Sequence, residues 1–231
     1  MDLFLPKALQ QPFKGILFDL DGTLIDSEEM HFTAWKQALR EFGYDPDSLG
    51  ETVPYQGNFR KMYTEIAAKL KLPEDLFDQI YERKVEITVG EPATNLNLLE
   101  GITSFLELMK ERNVPMGIVT NSEADYANHM LDGYDFRQYF DHVVHADHVV
   151  SPKPAPDGYI YGASLLNLKP EEILVFENTD VGIQAAKAAG MKVIAIRSTD
   201  WLGLSTYEEA DFTVDHFADS ALDDLQFAPN V

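Results

Sequence analysis

Short, continuously apolar runs alternate with helical patterns over most of the chain. Such runs are typical of strands that are buried on both faces of a parallel sheet. They are GILFDL (15–20), PMGIVT (115–120), DHVVHA (141–146), EILVFE (172–177) and KVIAIR (192–197). Helical spacing of apolar residues appears between them, in segments 101–113, 156–168 and 181–190. The alternation predicts an α/β fold with an open parallel sheet and helices on both of its faces.

One region departs from this alternation. From about residue 29 to residue 95 the pattern is helical, and no convincing strand is present. This predicts a helical insert after the first strand, with hinges at 24–27 and 94–100. Ligands of open α/β sheets bind at the carboxyl ends of the strands, so we expect the insert to cover that edge as a lid. The predicted domains are a core, residues 1–28 and 96–231, and a cap, residues 29–95.

Charge and composition restrict the partners. The 231 residues carry a formal net charge of −21, which disfavours binding to nucleic acid and to anionic membranes. The same field repels anionic substrates, so a site for one needs local cations or a metal. The chain has no cysteine, which excludes disulfides and thiolate zinc sites. With a poor match to a secretory signal and no apolar run long enough to span a membrane, a cytoplasmic location is expected. A monomer is the default expectation.

Polar side chains follow the predicted strands, at the point where each strand ends. The first strand ends at Asp19 and Asp21, and Lys153 follows the third. The remaining residues of this kind, after the second and fourth strands, are Thr120, Asn121, Ser122, Glu177 and Asn178. Because the carboxyl ends of parallel strands meet at one edge of the sheet, we expect all of them to lie close together.

The two aspartates would repel each other without a cation. Mg²⁺ accepts oxygen ligands from one or two carboxylates together with phosphate and water, so it removes the conflict. Asp19 and Asp21 lie two residues apart, and one side chain and one main-chain carbonyl could share the metal. Glu177 and Asn178 supply further oxygens. Lys153 supplies a positive charge suited to both a carboxylate and a phosphate.

Hydroxyl groups complete the predicted site. The hydroxyls of Thr120 and Ser122, with the main-chain amides after them, are suited to hold phosphate oxygens. Together with the carboxylates they predict a phosphoryl-transfer site in which one aspartate is the nucleophile and the other the acid and base.

The order of these motifs, DLDGT, TNS, KPAPD and FEN, resembles that of the haloacid dehalogenase superfamily of aspartate-based phosphohydrolases. The resemblance covers nearly the whole chain and implies a Rossmann-like core with a helical cap. It also implies that Asp19 is the nucleophile and that Asp21 protonates the leaving group and then activates water. The other implied roles are phosphate binding by Thr120 and Asn121, charge stabilisation by Lys153 and Mg²⁺ binding by Glu177 and Asn178.

A narrower resemblance, to β-phosphoglucomutases and small sugar-phosphate phosphatases, extends to the cap. In DLDGTLIDSEEMHFTAWK, His31 and Trp35 occupy matching positions. The resemblance implies that His31 helps to position the acid/base aspartate and that Trp35 lines a sugar site. It further implies that Arg60 grips a distal phosphate and that Lys84 belongs to the sugar site.

Several departures favour a phosphatase over a mutase. Gln56 stands where mutases carry a lysine, Thr23 where they often carry valine, and the second motif reads TNS. Asn178 stands where many relatives have an aspartate metal ligand, and Asp180 could compensate for its missing charge.

The predicted function is therefore that of a Mg²⁺-dependent phosphatase that acts on a small phosphorylated metabolite, a sugar phosphate above all. A β-phosphoglucomutase-type phosphotransferase is the alternative with the same core. A phosphoaspartate signalling domain and a catalytically idle binding relative are alternatives of another class.

Overall fold

The computed structural model describes residues 5–49, 59–200, 203 and 205–228, without the side chains of residues 49, 59–63 and 74. Its strands are β1 (Gly15–Phe18), β2 (Ile25–Asp26), β3 (Asn97–Leu98), β4 (Met116–Val119), β5 (His142–Val144), β6 (Ile173–Glu177), β7 (Lys192–Ile196) and β8 (Phe212–Val214). Its helices are α1 (Glu28–Glu41), α2 (Phe59–Leu70), α3 (Phe77–Gly90), α4 (Ile102–Glu111), α5 (Ala124–Gly133), α6 (Asp157–Leu165) and α7 (Asp180–Ala188).

Six strands form one parallel sheet in the order β5-β4-β1-β6-β7-β8. The predicted α/β fold with an open parallel sheet is confirmed, and each of the five apolar runs contains a strand. Strand β1 lies between β4 and β6, and these three strands are buried along their whole length. Helix α5, strand β8 and the pair β2–β3 have no counterpart among the predicted elements.

Apolar side chains pack on both faces of the sheet. On one face the rings of Phe18 and Phe176 stack with centroids 5.4 Å apart, and Phe105 and Phe217 contact both. Leu17 points to the opposite face, as the two-residue period of a strand requires. Burial of each such side chain contributes roughly 1.5–3 kcal/mol. This packing fixes the carboxyl ends of β1 and β6 beside each other.

Helices α1, α2 and α3 lie between β2 and β3 in the chain and have an apolar cluster of their own, which includes Trp35, Leu39, Ile66 and Ile80. Strands β2 and β3 form a short antiparallel ribbon at the two predicted hinges. We propose that residues 29–95 form a cap unit joined to the core by this ribbon. None of the described helices combines the length and the apolar character needed to cross a membrane.

Candidate active site

A pocket opens at the carboxyl ends of the central strands. It receives all the residues that the sequence predicted from strand ends, and one predicted cap residue, His31. The described residues that line it are Asp19, Asp21, Glu28, His31, Thr120, Asn121, Ser122, Lys153, Glu177, Asn178 and Thr179. Glu28 and Thr179 were not predicted.

Lys153 joins the ends of β1 and β6. Its Nζ donates to Asp19 Oδ1 at 2.6 Å, to Glu177 Oε1 at 2.6 Å and to the main-chain carbonyl of Val119 at 2.8 Å. An ammonium group has three protons, so all of them are used. Within the described part of the chain, the second carboxylate oxygen of Asp19 accepts no hydrogen bond. That oxygen is therefore available to a ligand in the pocket.

The charges of this cluster are unbalanced. Burial raises the pKa of Asp19 well above its ordinary value; Lys153 lowers it, while the charges of Glu177 and Asp21 raise it further. Burial lowers the pKa of Lys153, but its two carboxylate partners outweigh that effect and raise it. The ammonium group is therefore charged at neutral pH, and its single charge faces several carboxylates. A further cation in the pocket would lower the electrostatic energy.

The carboxylate of Glu177 is saturated by protein donors. Its Oε1 accepts hydrogen bonds from Lys153 and from Tyr159 Oη at 3.1 Å. Its Oε2 accepts from the main-chain amides of Asn178 and Thr179 and from the Thr179 hydroxyl. A carboxylate offers about four lone-pair sites, so this geometry leaves none for a metal. These contacts make Glu177 a support for Lys153, and its role as a metal ligand stays a prediction.

Four donors hold the carboxylate of Asp21. Ser27 Oγ and Tyr126 Oη donate to Oδ1 at 2.7 Å each, and Ser122 Oγ donates to Oδ2 at 2.6 Å. His31 Nε2 lies 2.9 Å from Oδ1. Burial raises the pKa of Asp21, but the charge and hydrogen bond of His31 and the hydroxyl donors outweigh it and lower the pKa well below its usual range. Burial, followed by the charge of Lys84, lowers the pKa of His31.

The residues after β4 have separate contacts. Thr120 Oγ1 accepts a hydrogen bond from the main-chain amide of Ser122 at 3.0 Å. The Asn121 side chain forms two hydrogen bonds with the main chain of Lys153. Its Oδ1 accepts from the amide at 3.0 Å, and its Nδ2 donates to the carbonyl at 3.4 Å. Asn121 therefore positions the lysine loop by its side chain, and its predicted role in phosphate binding stays a prediction.

Asn178 is bonded to an acidic residue that the sequence analysis did not single out. Its Nδ2 donates to Glu28 Oε1 at 3.1 Å and lies 3.5 Å from Thr199 Oγ1. Its Oδ1 has a long contact of 3.4 Å with Thr23 Oγ1. Burial, followed by the charge of Asp21, raises the pKa of Glu28 to about 8. A cation beside Glu28 would favour its ionised form.

Asp180, which could compensate for the missing charge of Asn178, has other contacts in the structure. Its carboxylate accepts hydrogen bonds from the main-chain amides of Thr206 and Tyr207, at 2.9 and 2.8 Å, and from the Thr206 hydroxyl at 3.1 Å. These contacts fix the segment after β7 to the start of α7. The carboxylate beside Asn178 is Glu28 instead.

The remaining oxygen donors suit a divalent cation. They are the free carboxylate oxygen of Asp19, the main-chain carbonyl of Asp21, the amide oxygen of Asn178 and the carboxylate of Glu28. Gly22 lets Asn178 and Glu28 approach the main chain closely, because a Cβ there would lie 1.9 Å from Asn178 Nδ2 and 3.1 Å from Glu28 Oε1. Among the described residues, no three His, Asp or Glu side chains converge to hold a metal by themselves. Main-chain and amide oxygens would therefore complete the coordination.

The predicted cap residues lie at different places in the structure. His31 lines the pocket and contacts Asp21. Lys84 is buried, and its Nζ lies 5.6 Å from the centroid of the Tyr126 ring, across the boundary between α3 and α5. Burial lowers the pKa of Lys84 to about 8.

Trp35 does not line the pocket. Its ring is 1% exposed and packs in the apolar cluster of the insert, because Trp35, Ala38 and Leu39 share one face of α1. A role of Trp35 in sugar binding stays a prediction. Arg60 belongs to α2, but its side chain, like the whole of Gln56, lies outside the described residues.

Substitution of Gly182 by alanine should disturb this site through the carboxylate of Glu177. A Cβ on Gly182 would lie 1.6 Å from Glu177 Oε1, so the carboxylate would have to leave Lys153. We expect a loss of roughly 1–3 kcal/mol in the free energy of unfolding and a fall in kcat of up to about a hundredfold. Urea denaturation and steady-state kinetics measure the two effects.

The control is Gly90→Ala, near the end of α3, where a Cβ meets no atom within 4 Å. It should leave both quantities close to the wild-type values. A Gly182→Ala protein as stable and active as this control would show that Glu177 is not held as described.

Fold and site together define an α/β enzyme whose reaction centre lies at the carboxyl edge of a Rossmann-like sheet. The sequence profile of the haloacid dehalogenase-like hydrolases matches residues 16–196, and the chain belongs to that family. The predicted resemblance and the predicted hydrolase class are confirmed.

Individual proteins of known structure or activity are similar over most of the chain. The fructose-1-phosphate phosphatase YqaB of Escherichia coli is 32% identical over 193 residues, which cover 82% of this chain and 99% of that protein. CbbY from Rhodobacter sphaeroides, in a mutant complex with xylulose-(1,5)bisphosphate, superposes with a TM-score of 0.80 at 23% identity, covering 93% of this chain and 100% of that chain. The β-phosphoglucomutase of Clostridium difficile gives a TM-score of 0.71 at 23% identity, with coverages of 89% and 92%. The two structural similarities establish the shared fold.

Proposed function

We propose that this protein is a Mg²⁺-dependent phosphohydrolase that removes phosphate from a small phosphorylated metabolite, a sugar phosphate above all. The observation that carries the proposal is the buried contact of Asp19 with Lys153, which leaves one carboxylate oxygen of Asp19 free at the pocket. A nucleophile needs a fixed position and a lone pair that the substrate can reach, and Asp19 has both.

The first chemical step is nucleophilic. The free oxygen of Asp19 attacks phosphorus, a phosphoryl–carboxylate bond forms, and the bond between phosphorus and the ester oxygen breaks. The leaving oxygen takes a proton from Asp21. In the second step a water molecule attacks the same phosphorus, Asp21 takes its proton, and the bond to Asp19 breaks to release inorganic phosphate.

Asp21 has to change its contacts before the first step. In the structure its carboxylate accepts hydrogen bonds from Ser27, Ser122 and Tyr126 and contacts His31. These donors hold it ionised, whereas a general acid must carry a proton. Because Ser27 directly precedes α1 and His31 belongs to it, a movement of the cap relative to the core would release part of this set.

The phosphate group would be held by the core. The positive charge of Lys153 and the hydroxyl of Thr120 contribute, together with the main-chain amide of Asn121. A divalent cation held by Asp19, the Asp21 carbonyl and Asn178 would neutralise charge on the phosphate and so favour the approach of a carboxylate.

Substrate class is inferred from the cap and from related proteins. His31 lines the pocket, and the buried Lys84 lies close enough for its charge to lower the pKa of His31; basic groups at this position suit a polar anionic metabolite. The similar YqaB is named for its action on fructose 1-phosphate. The monomeric state and the cytoplasmic location remain predictions.

A substrate panel tests this function. Phosphate release should be measured from hexose, pentose and hexitol phosphates, phosphoglycolate and nucleoside monophosphates, with Mg²⁺ and with excess EDTA. We expect release from one or more sugar phosphates, reduced at least about a hundredfold by EDTA. Conversion of β-glucose 1-phosphate to its 6-phosphate isomer, without release, would contradict the proposal in favour of a mutase. No turnover of any substrate would contradict both.

A further inference from the structure

Four carboxylates line the pocket, from Asp19, Asp21, Glu28 and Glu177, against a single described lysine, Lys153. Three of these carboxylates have partners that offset their negative charge. Asp19 and Glu177 share the lysine, and Asp21 accepts hydrogen bonds from hydroxyl donors and contacts an imidazole. The fourth carboxylate differs, because among the described residues its hydrogen-bond partner is a neutral amide.

That amide belongs to Asn178, which donates to Glu28 Oε1 at 3.1 Å. Under the proposed function, on which this inference rests, the pocket must admit a phosphate ester. An ionised Glu28 without a cation next to it would repel that anion. With a divalent cation next to Glu28, the same carboxylate would strengthen a positive centre that attracts the ester.

We propose that Glu28 supplies the negative charge of a divalent-cation site in which Asn178 is the neutral ligand. Glu28 acts either as a direct ligand or through a metal-bound water. The site thus draws its charge from the start of the cap helix α1, whereas Asp19 and Asn178 belong to the core.

The surroundings support this assignment independently of Glu28. Asp19 is 7% exposed, and its second carboxylate oxygen has no partner among the described residues while the residue lines the same pocket. Gly22, which has no Cβ, lets the Asn178 amide and the Glu28 carboxylate lie close to the main chain. Thr199 Oγ1 donates to the Gly22 carbonyl at 2.7 Å and lies 3.5 Å from Asn178 Nδ2, so Gly22 and Asn178 are fixed relative to each other.

The test measures cation binding without substrate. Mn²⁺ is titrated into the full-length protein, and free Mn²⁺ is followed by electron paramagnetic resonance. The variants are Glu28→Gln, Asn178→Asp and the double variant, with Glu29→Gln as control, since Glu29 is exposed and adjacent. Glutamine can still accept the hydrogen bond from Asn178, so Glu28→Gln removes the charge and keeps the contact.

We expect Glu28→Gln to weaken Mn²⁺ binding by about 10–100-fold, Glu29→Gln to have no effect, and Asn178→Asp in the Glu28→Gln background to restore binding to near the wild-type value. Equal Mn²⁺ affinities for wild type and Glu28→Gln would overturn the inference, as would no Mn²⁺ binding by the wild type. If Glu28→Gln weakened substrate binding but not Mn²⁺ binding, Glu28 would be a substrate contact and the inference would also be wrong.

The same proteins separate this inference from the proposed function. Phosphate release by the wild type, together with equal Mn²⁺ affinities, would retain the phosphohydrolase and reject the role of Glu28. The expected pattern of Mn²⁺ affinities, without phosphate release from any substrate, would support the role of Glu28 and reject the phosphohydrolase.

Discussion

Replacement of Asp19 by asparagine is expected to lower kcat for phosphate release at least about a thousandfold, as the loss of a nucleophile does in other enzymes. An amide oxygen cannot form the covalent bond to phosphorus that the proposed reaction needs. The substitution is nearly isosteric and keeps an oxygen facing Lys153, so the protein should fold. Steady-state phosphate release at saturating substrate and Mg²⁺ measures the effect.

The matched control is Asp26→Asn, which removes an exposed carboxylate on β2, outside the pocket lining. Its kcat should stay close to that of the wild type. An Asp19→Asn protein that retains more than about a tenth of wild-type kcat would contradict a nucleophilic role for Asp19.

Replacement of Lys153 by methionine is expected to abolish activity and to destabilise the protein. Methionine keeps much of the volume but leaves the buried carboxylates of Asp19 and Glu177 without their shared cation. Removal of one partner of a buried ion pair costs about 3–5 kcal/mol in the free energy of unfolding. Urea denaturation, with far-ultraviolet circular dichroism as the signal, measures this loss.

A second substitution distinguishes charge from packing in this variant. Adding Glu177→Gln to Lys153→Met removes one uncompensated charge, so part of the lost stability should return while activity stays absent. Lys110→Met, at an exposed lysine on α4 that bonds Gln138, should change stability by less than about 0.5 kcal/mol. If Lys153→Met were as stable as Lys110→Met, the lysine would not hold the two strand ends together.

The core and much of the pocket could be predicted from the sequence because both follow from short-range patterns. Continuous apolar runs identified β1, β4, β5, β6 and β7, and parallel pairing brings their carboxyl ends to one edge. The polar residues directly after those runs, such as Asp19 and Glu177, therefore had to meet in the fold. The short pair β2–β3 escaped prediction, since two residues per strand show no alternation.

Long-range contacts account for the site residues that were missed. Glu28 in the first turn of a helix resembles an ordinary acidic residue that favours the helix dipole, and its partner Asn178 lies 150 positions away. Tyr126 donates to Asp21 from 105 positions away, on a helix that was not predicted. The apolar spacing of Tyr126, Ala127, Met130 and Leu131 was the available signal for that helix.

Two signals from the sequence differ at Trp35. The resemblance of its segment to sugar-phosphate enzymes suggested a place in the substrate site, whereas its spacing from Ala38 and Leu39 indicated packing. The structure places the ring in the apolar cluster of the insert, and its place in the substrate site stays a prediction. A motif match identifies a position in a family, and the local pattern decides which way its side chain faces.

Covalent phosphorylation of Asp19 is the central claim, and trapping of the intermediate tests it most directly. The enzyme is mixed with the best sugar phosphate and Mg²⁺, quenched in acid during turnover, digested with pepsin and analysed by mass spectrometry. We predict a phosphoryl group on Asp19 in a fraction of the molecules, which disappears once the substrate is consumed and is never seen in Asp19→Asn. Turnover with no phosphorylated peptide in the digest, or with the phosphoryl group on another residue, would contradict the account.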